Sequence, residues 1–149
     1  MKYISHRGNL TGPDKSKENT PEQIDLAIGK GFYVEVDVWV KDQVLYLGHD
    51  LPSIEVDIDW ILERKDFLYI HCKNIEAITF LQEFSEKRIH YFWHEEDTLT
   101  LTSFGYIWAY PGKQPIRNSI AVMPEIYNDD VSSCSGICTD YPIKYSMRD

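Results

Sequence analysis

The segment from Tyr33 to Val40 constrains this chain more than any other. In an extended strand its alternation puts Val34, Val36, Val38 and Val40 on one face and Glu35, Asp37 and Trp39 on the other. Four valines in a row require an apolar layer on their side. On the other side two carboxylates stand on α-carbons about 6.6 Å apart, close enough for both to reach a single cation. Adjacent inward acids are costly unless a metal or a cationic group compensates them. The same alternation also suits an antiparallel strand with an exposed polar face, so the strand by itself leaves both readings open.

The segments around it alternate between strand and helix. Tyr3 to Ser5 reads as a first strand, and the polar stretch Asn9 to Asn19, with Gly12 and Pro13, as a loop. A well-marked helix follows. Thr20 suits its N-cap, Pro21 its first position and Gln23 a capping box, while Ile24, Ala27 and Ile28 form an apolar stripe and Gly31 ends it. After Phe32 to Val40 and Val44 to Leu47, a short helix is expected over Ile58 to Glu63, a strand over Phe67 to Cys72, and a helix over Ile75 to Lys87 with Ile75, Ile78, Leu81 and Phe84 inward.

Beyond this point, strand candidates at Ile89 to Trp93, Tyr106 to Trp108, Ser119 to Met123 and Gly136 to Thr139 are separated by intervals too short for full helices. Pro111, Gly112 and Pro115 exclude an ordinary crossover helix between Tyr110 and Asn118. The pattern is that of one α/β domain spanning 1–149, with parallel strands and a helix-poor second half.

Charge narrows the partners. The 24 acidic residues exceed the 15 Lys and Arg, for a net charge of -9, which argues against a non-specific grip on nucleic acid or anionic lipid. No apolar run is long enough to span a bilayer and no signal-peptide pattern opens the chain, so a cytoplasmic protein is the expectation. The three cysteines, Cys72, Cys134 and Cys138, lack zinc-site spacing and read as free thiols.

Ionisable residues gather just after the strand candidates: His6, Arg7 and Asn9 after the first, His49 and Asp50 after Val44 to Leu47, and Lys73 and Asn74 after Phe67 to Cys72. In parallel α/β folds the carboxyl ends of the strands form the active face. The ordered run His6-Arg7-Gly8, Glu18-Asn19-Thr20, Glu35-Val36-Asp37 and Gly48-His49-Asp50 resembles the motif order of the glycerophosphodiester phosphodiesterase family. Weaker echoes are Tyr69 to Lys73, which resembles that family's third strand with its lysine, and Gly136 to Pro142, which resembles its closing strand.

The resemblance implies a compact, helix-depleted (β/α)8 barrel that hydrolyses a small glycerophosphodiester-like substrate with a divalent cation, Mg2+, Ca2+ or Mn2+. By the same analogy His6 and His49 are the acid/base pair, Arg7 grips a phosphate oxygen, Lys73 also binds phosphate, and Glu35 and Asp37 hold the metal. Phosphodiester cleavage needs charge neutralisation, a base for the attacking oxygen and an acid for the departing one, and two imidazoles can divide the last two tasks. Glu18 and Asn19 are expected to shape the loop or orient Arg7.

The sequence departs from the family at two points. Where the family has a third acidic ligand, this chain has His71, so either His71 replaces it or the metal is supported from elsewhere, such as Glu125. The chain is also far shorter than a typical eightfold barrel. Stripped of helices, it is expected to use Trp93, Tyr106, Trp108, Tyr110 and Tyr127 to line a pocket, with Trp108 the expected substrate contact, or to cover the core or a homodimer interface. Two competing outcomes are a non-catalytic phosphoester-binding scaffold and a lyase that leaves a cyclic phosphate.

Overall fold

The computed structural model describes residues 1–148. Ten strands form one sheet: β1 (Lys2–His6), β2 (Tyr33–Lys41), β3 (Val44–Leu47), β4 (Ile54–Val56), β5 (Leu68–Cys72), β6 (Tyr91–Trp93), β7 (Leu99–Leu101), β8 (Ile107–Ala109), β9 (Ser119–Val122) and β10 (Gly136–Thr139). Four short α-helices accompany them: α1 (Pro21–Gly29), α2 (Ile58–Arg64), α3 (Ile75–Gln82) and α4 (Pro142–Ser146).

This is a curled half-barrel sheet, and the expected (β/α)8 barrel is not formed. Seven strands run parallel in the spatial order β6, β5, β2, β1, β10, β9, β8. At the β8 end the succession is broken by β7, which pairs antiparallel. On the β2 side a second antiparallel ribbon branches off, with β3 on the distal half of β2 and β4 on β3. The cause is the absence of crossover helices in the second half. β8 and β9 are joined by a loop holding Pro111, Gly112 and Pro115, and β9 and β10 by a single 3-10 turn at Pro124–Ile126. Without helices there, nothing supplies the outer ring that an eightfold barrel requires.

The helical elements follow local signals. Thr20 caps α1, its side chain accepting from the Gln23 amide, and Pro21 opens the helix. The reciprocal half of the capping box is not made, because Gln23 Nε2 donates instead to the Gly8 carbonyl at 2.8 Å and ties α1 to the turn after β1. α3 is capped by Asn74 and stops at Gln82, short of the expected Lys87. Ile75, expected inward, is 68% exposed because it sits in the first turn, and Ala77 and Leu81 carry the buried stripe.

Alternation along β2 separates two cores. Its valines pack with Ile24, Ala27, Ile61, Ala77 and Leu81 beneath α1, α2 and α3. The opposite, inner face holds a second cluster of Ile4, Tyr69, Phe92, Trp108, Ile120, Val122 and Cys138. Glu35 and Asp37 therefore point into the curl, both buried. The strand is neither solvent-faced nor antiparallel over that stretch.

Candidate functional site

Strand register assembles the site. His6 on β1 is level with Glu35 on β2, and Asp37 on β2 is level with His71 on β5. Adjacent parallel strands lie about 4.8 Å apart, so four ionisable side chains are forced into neighbouring positions on one face. The next level on β6 is Phe92, whose ring stacks on His71 at 4.9 Å and 10°. His71 is thus held flat and cannot swing away from the acids.

Two turns supply the rest. After β1 the backbone of Arg7 adopts φ 55°, and Asn19 in the following loop adopts φ 56°, both in the left-handed region that non-glycine residues avoid. Each is locked in place: the Arg7 amide donates to the Glu35 carbonyl at 2.9 Å and the Asn19 amide to the Arg7 carbonyl at 3.0 Å. After β3, Gly48 at φ 148° turns the chain so tightly that a Cβ there would stand 2.1 Å from the Leu51 carbonyl oxygen. The Trp39 indole donates to the Gly48 carbonyl at 2.7 Å, and the Gly48 amide donates to the Asp37 carbonyl at 3.2 Å. Together these contacts hold His49 over Asp37.

Asp37 is the hub. Its carboxylate accepts from Asn19 Nδ2 at 2.9 Å and lies 3.1 Å from Arg7 Nε, 3.1 Å from His71 Nδ1, 3.5 Å from His49 Nδ1 and 3.8 Å from Lys73 Nζ. Burial opposes its ionisation, but the contacts with His49 and His71 and the Arg7 charge outweigh burial and hold it well below the usual carboxylate range. Glu35 behaves oppositely. Burial, and next the neighbouring Asp37 charge, push its pKa up. Of two acids on one strand face, one is firmly ionised and the other is reluctant.

The hydrogen bonds give the two histidines different faces. Asp140, in the turn after β10, takes His6 Nδ1 at 2.7 Å and Asn9 Nδ2 at 2.8 Å on the same oxygen. Because a carboxylate only accepts, His6 Nδ1 carries the proton and Nε2, 3.9 Å from Glu35, has the free lone pair. Burial works against protonation of His6, yet the bond to Asp140 and the Glu35 charge raise its pKa overall. His49 is arranged differently. Its Nδ1 lies 3.0 Å from Arg7 and 3.4 Å from Lys73, which only donate, and 3.5 Å from the Asp37 carboxylate, which only accepts, while Nε2 is turned toward Asp50 and solvent.

His71 is the third group beside the two acids. Its Nε2 faces the His94 carbonyl at 3.3 Å, an acceptor, which places a proton there. Nδ1 faces Asp37 Oδ1 at 3.1 Å and Glu35 Oε1 at 3.7 Å, so a protonated Nδ1 donates to Asp37, whereas in the neutral ring its lone pair joins the two carboxylates as a third donor atom. Either a proton on His71 Nδ1 or a cation shared by the three groups offsets the negative charge gathered there. Ligand atoms of Glu35, Asp37 and His71 lie within 4.8 Å of one another, and Glu35 Oε2 and Asp37 Oδ1 are buried without hydrogen-bond partners. The donor set, two carboxylates and one imidazole, fits a divalent cation. Glu125 is not part of it: it is exposed and accepts from Thr139 Oγ1 at 2.9 Å and Tyr145 at 3.4 Å.

These residues line a cavity of about 500 Å3 into which His6, Arg7, Glu35, His49, His71 and Lys73 all project. Trp108 reaches its wall but is only 2% exposed, packed on Phe92 at 4.5 Å, so most of its ring belongs to the core. Of the other aromatic candidates, Tyr110 lines the cavity, Tyr106 binds Lys2 at 3.1 Å away from the site, Trp93 packs on the helix-covered core and Tyr127 is exposed. Glu18 bonds both Arg7 (3.3 Å) and Asn9 (2.9 Å), which gives it the orienting part expected of it.

Sequence reasoning missed Asp140 as a site residue and His94 as a wall residue. The Asp-Tyr-Pro segment was the one available signal for Asp140. Comparison with family models, with curated proteins and with solved structures finds no match for this chain.

Proposed function

We propose that this protein cleaves a small phosphodiester with the help of a divalent cation. The observation that carries the reading is the placement of His6 and His49 on one cavity with Arg7 and Lys73, beside the Glu35, Asp37, His71 cluster. Arg7 and Lys73 flank His49 and would take the non-bridging phosphate oxygens, neutralising the anion before attack. His6 Nε2, with Asp140 fixing its tautomer, removes the proton of the attacking hydroxyl or water. His49, entering this step as the imidazolium, would deliver its Nε2 proton to the departing oxygen on the open side and be left as the neutral imidazole. A cation bound by Glu35, Asp37 and His71 would polarise the phosphoryl oxygen and offset the developing charge.

One observation favours a second reading. Arg7 Nε already sits 3.1 Å from Asp37, so a fixed cation occupies part of the space around the acids and can neutralise Asp37 without a metal. On that reading the cavity binds a phosphoester and does not turn it over. The experiment is a screen of glycerophosphodiesters and bis(p-nitrophenyl) phosphate with Mg2+, Ca2+, Mn2+ or chelator, with products followed by phosphorus NMR. Cation-dependent release of a monoester supports hydrolysis, and a cyclic phosphate shows attack by a neighbouring substrate hydroxyl. Binding without turnover under every cation selects the second reading. The described residues contain no helix long and apolar enough to cross a membrane.

A further inference from the structure

A second cavity of about 590 Å3 adjoins the first, between the loop before α1 and the turn after β3. The two share Arg7, His49 and Asp50, of which Arg7 and His49 face the proposed seat of the phosphate. Their walls differ in chemistry. Beyond Arg7 and His49, the first cavity is walled by rings: Trp39, whose indole is fixed to Gly48, and Tyr110, stacked on His94 at 4.0 Å and 25°. The second has no ring besides His49: Lys15, Ser16, Thr20 and Ser53 stand there beside the apolar Leu51 and Ile54, and Lys15 makes no ion pair among the described residues.

A diester has two ester arms that leave its phosphorus in different directions, and a phosphate held at Arg7 and His49 would send one arm into each cavity. Flat aromatic walls favour a planar ring by stacking. The three hydroxyls already donate within the chain, Ser16 to Asp14, Thr20 to the Lys17 carbonyl and Ser53 to the Leu51 carbonyl, so their oxygens can accept while the Lys15 ammonium donates, which suits a hydroxylated arm that does both. We infer that the substrate is an asymmetric diester, with a planar aromatic ring on one ester oxygen and a glycerol-like or sugar-like group on the other. This inference rests on the proposed phosphodiester reading for the seat of the phosphate, and it adds the identity of the two arms.

The test separates recognition from turnover by using monoesters that carry one arm each. Phenyl phosphate and glycerol 1-phosphate are titrated calorimetrically into the full chain, with the indole fluorescence of Trp39 as a second readout. Tyr110→Leu is expected to lower the ratio of phenyl phosphate to glycerol phosphate affinity about tenfold, and Lys15→Glu, on an exposed residue whose change leaves the fold intact, to raise it several-fold. Both variants leaving the ratio unchanged would overturn the inference, as would competition between the two monoesters for a single seat with identical variant effects.

In the diester screen, phenyl glyceryl phosphate is expected to have a lower KM than either glycerophosphoglycerol or diphenyl phosphate. Failure of all diesters to turn over, with the opposed ratio shifts still seen, would sink the catalytic reading and leave the two-arm inference standing. Turnover without any arm preference would do the reverse.

Discussion

His90 lies outside the candidate site and reports on the fold alone. It is 5% exposed, its Nε2 is bonded to Thr102 Oγ1 at 2.8 Å, and its ring lies between Phe104 (4.3 Å, 7°) and Tyr69 (4.2 Å, 45°). Burial, with the nearby Lys2 charge second, lowers its pKa to about 4. An unfolded histidine titrates near about 6.5, so between those values the unfolded chain binds a proton that the folded chain refuses. Stability from this group is therefore complete above the unfolded value and is lost as pH falls. At about 1.4 kcal/mol per pH unit the loss reaches roughly 3 kcal/mol by pH 4 and then levels off.

Replacing His90 by Gln keeps a partner for Thr102 and removes the titration. The assay is urea unfolding followed by tryptophan fluorescence at pH 7, 6, 5 and 4, for wild type and His90→Gln. Carboxylates that titrate in both proteins cancel in the difference. Wild type is expected to be the more stable at pH 7, with the gap closing by about 3 kcal/mol at pH 4. A gap that stays constant across that range would refute the buried, neutral state of His90.

Other expectations concern the site. His6→Ala and His49→Ala should each lower kcat about 100-fold with smaller changes in KM, and near-normal kcat in either would exclude the division of acid and base between them. Asp140→Asn removes the partner that raises His6, so the acid limb of the kcat/KM profile should move to lower pH, and an unmoved limb would mean that His6 is not the group titrating there. Asp37→Asn should weaken every divalent cation in calorimetric titration, whereas His71→Glu should shift preference from Mn2+ or Zn2+ toward Mg2+ and Ca2+; unchanged preference would place His71 outside the coordination shell. Thr20→Ala deletes the cap of α1 and should cost about 1 kcal/mol in the same urea assay, with no change in cation affinity.

What was legible in the sequence was the local pattern. The valine alternation of β2 and the clusters after β1, β3 and β5 were readable because side-chain period and strand ends are local properties. The inward pair Glu35 and Asp37, with His6, Arg7, His49, His71 and Lys73, is brought together as those clusters suggested. The barrel was not legible correctly, because short strands reveal neither what covers them nor which way they run. β7 shows why: Leu99 and Leu101 are 45% and 65% exposed, so an edge strand carried no burial signal and its antiparallel direction was invisible. Asp140 was hidden for another reason, since its partner His6 lies 134 residues away and no spacing rule spans that distance.

The place of β1 in the sheet has a consequence for how the protein comes into being. β1 is flanked by β2 on one side and by β10 on the other, so β1 waits for a strand that follows it by more than a hundred residues. Such long-range pairing slows folding, because the loop must close before the contact rewards it. During synthesis the growing chain can dock α1 and α3 on β2 while His6 still lacks Asp140 and the inner cluster still lacks Cys138. The full set of site contacts thus forms only when β10 slots in beside β1, and a ribosome-bound or truncated chain lacking that strand would be folded in part, with His6 still without Asp140.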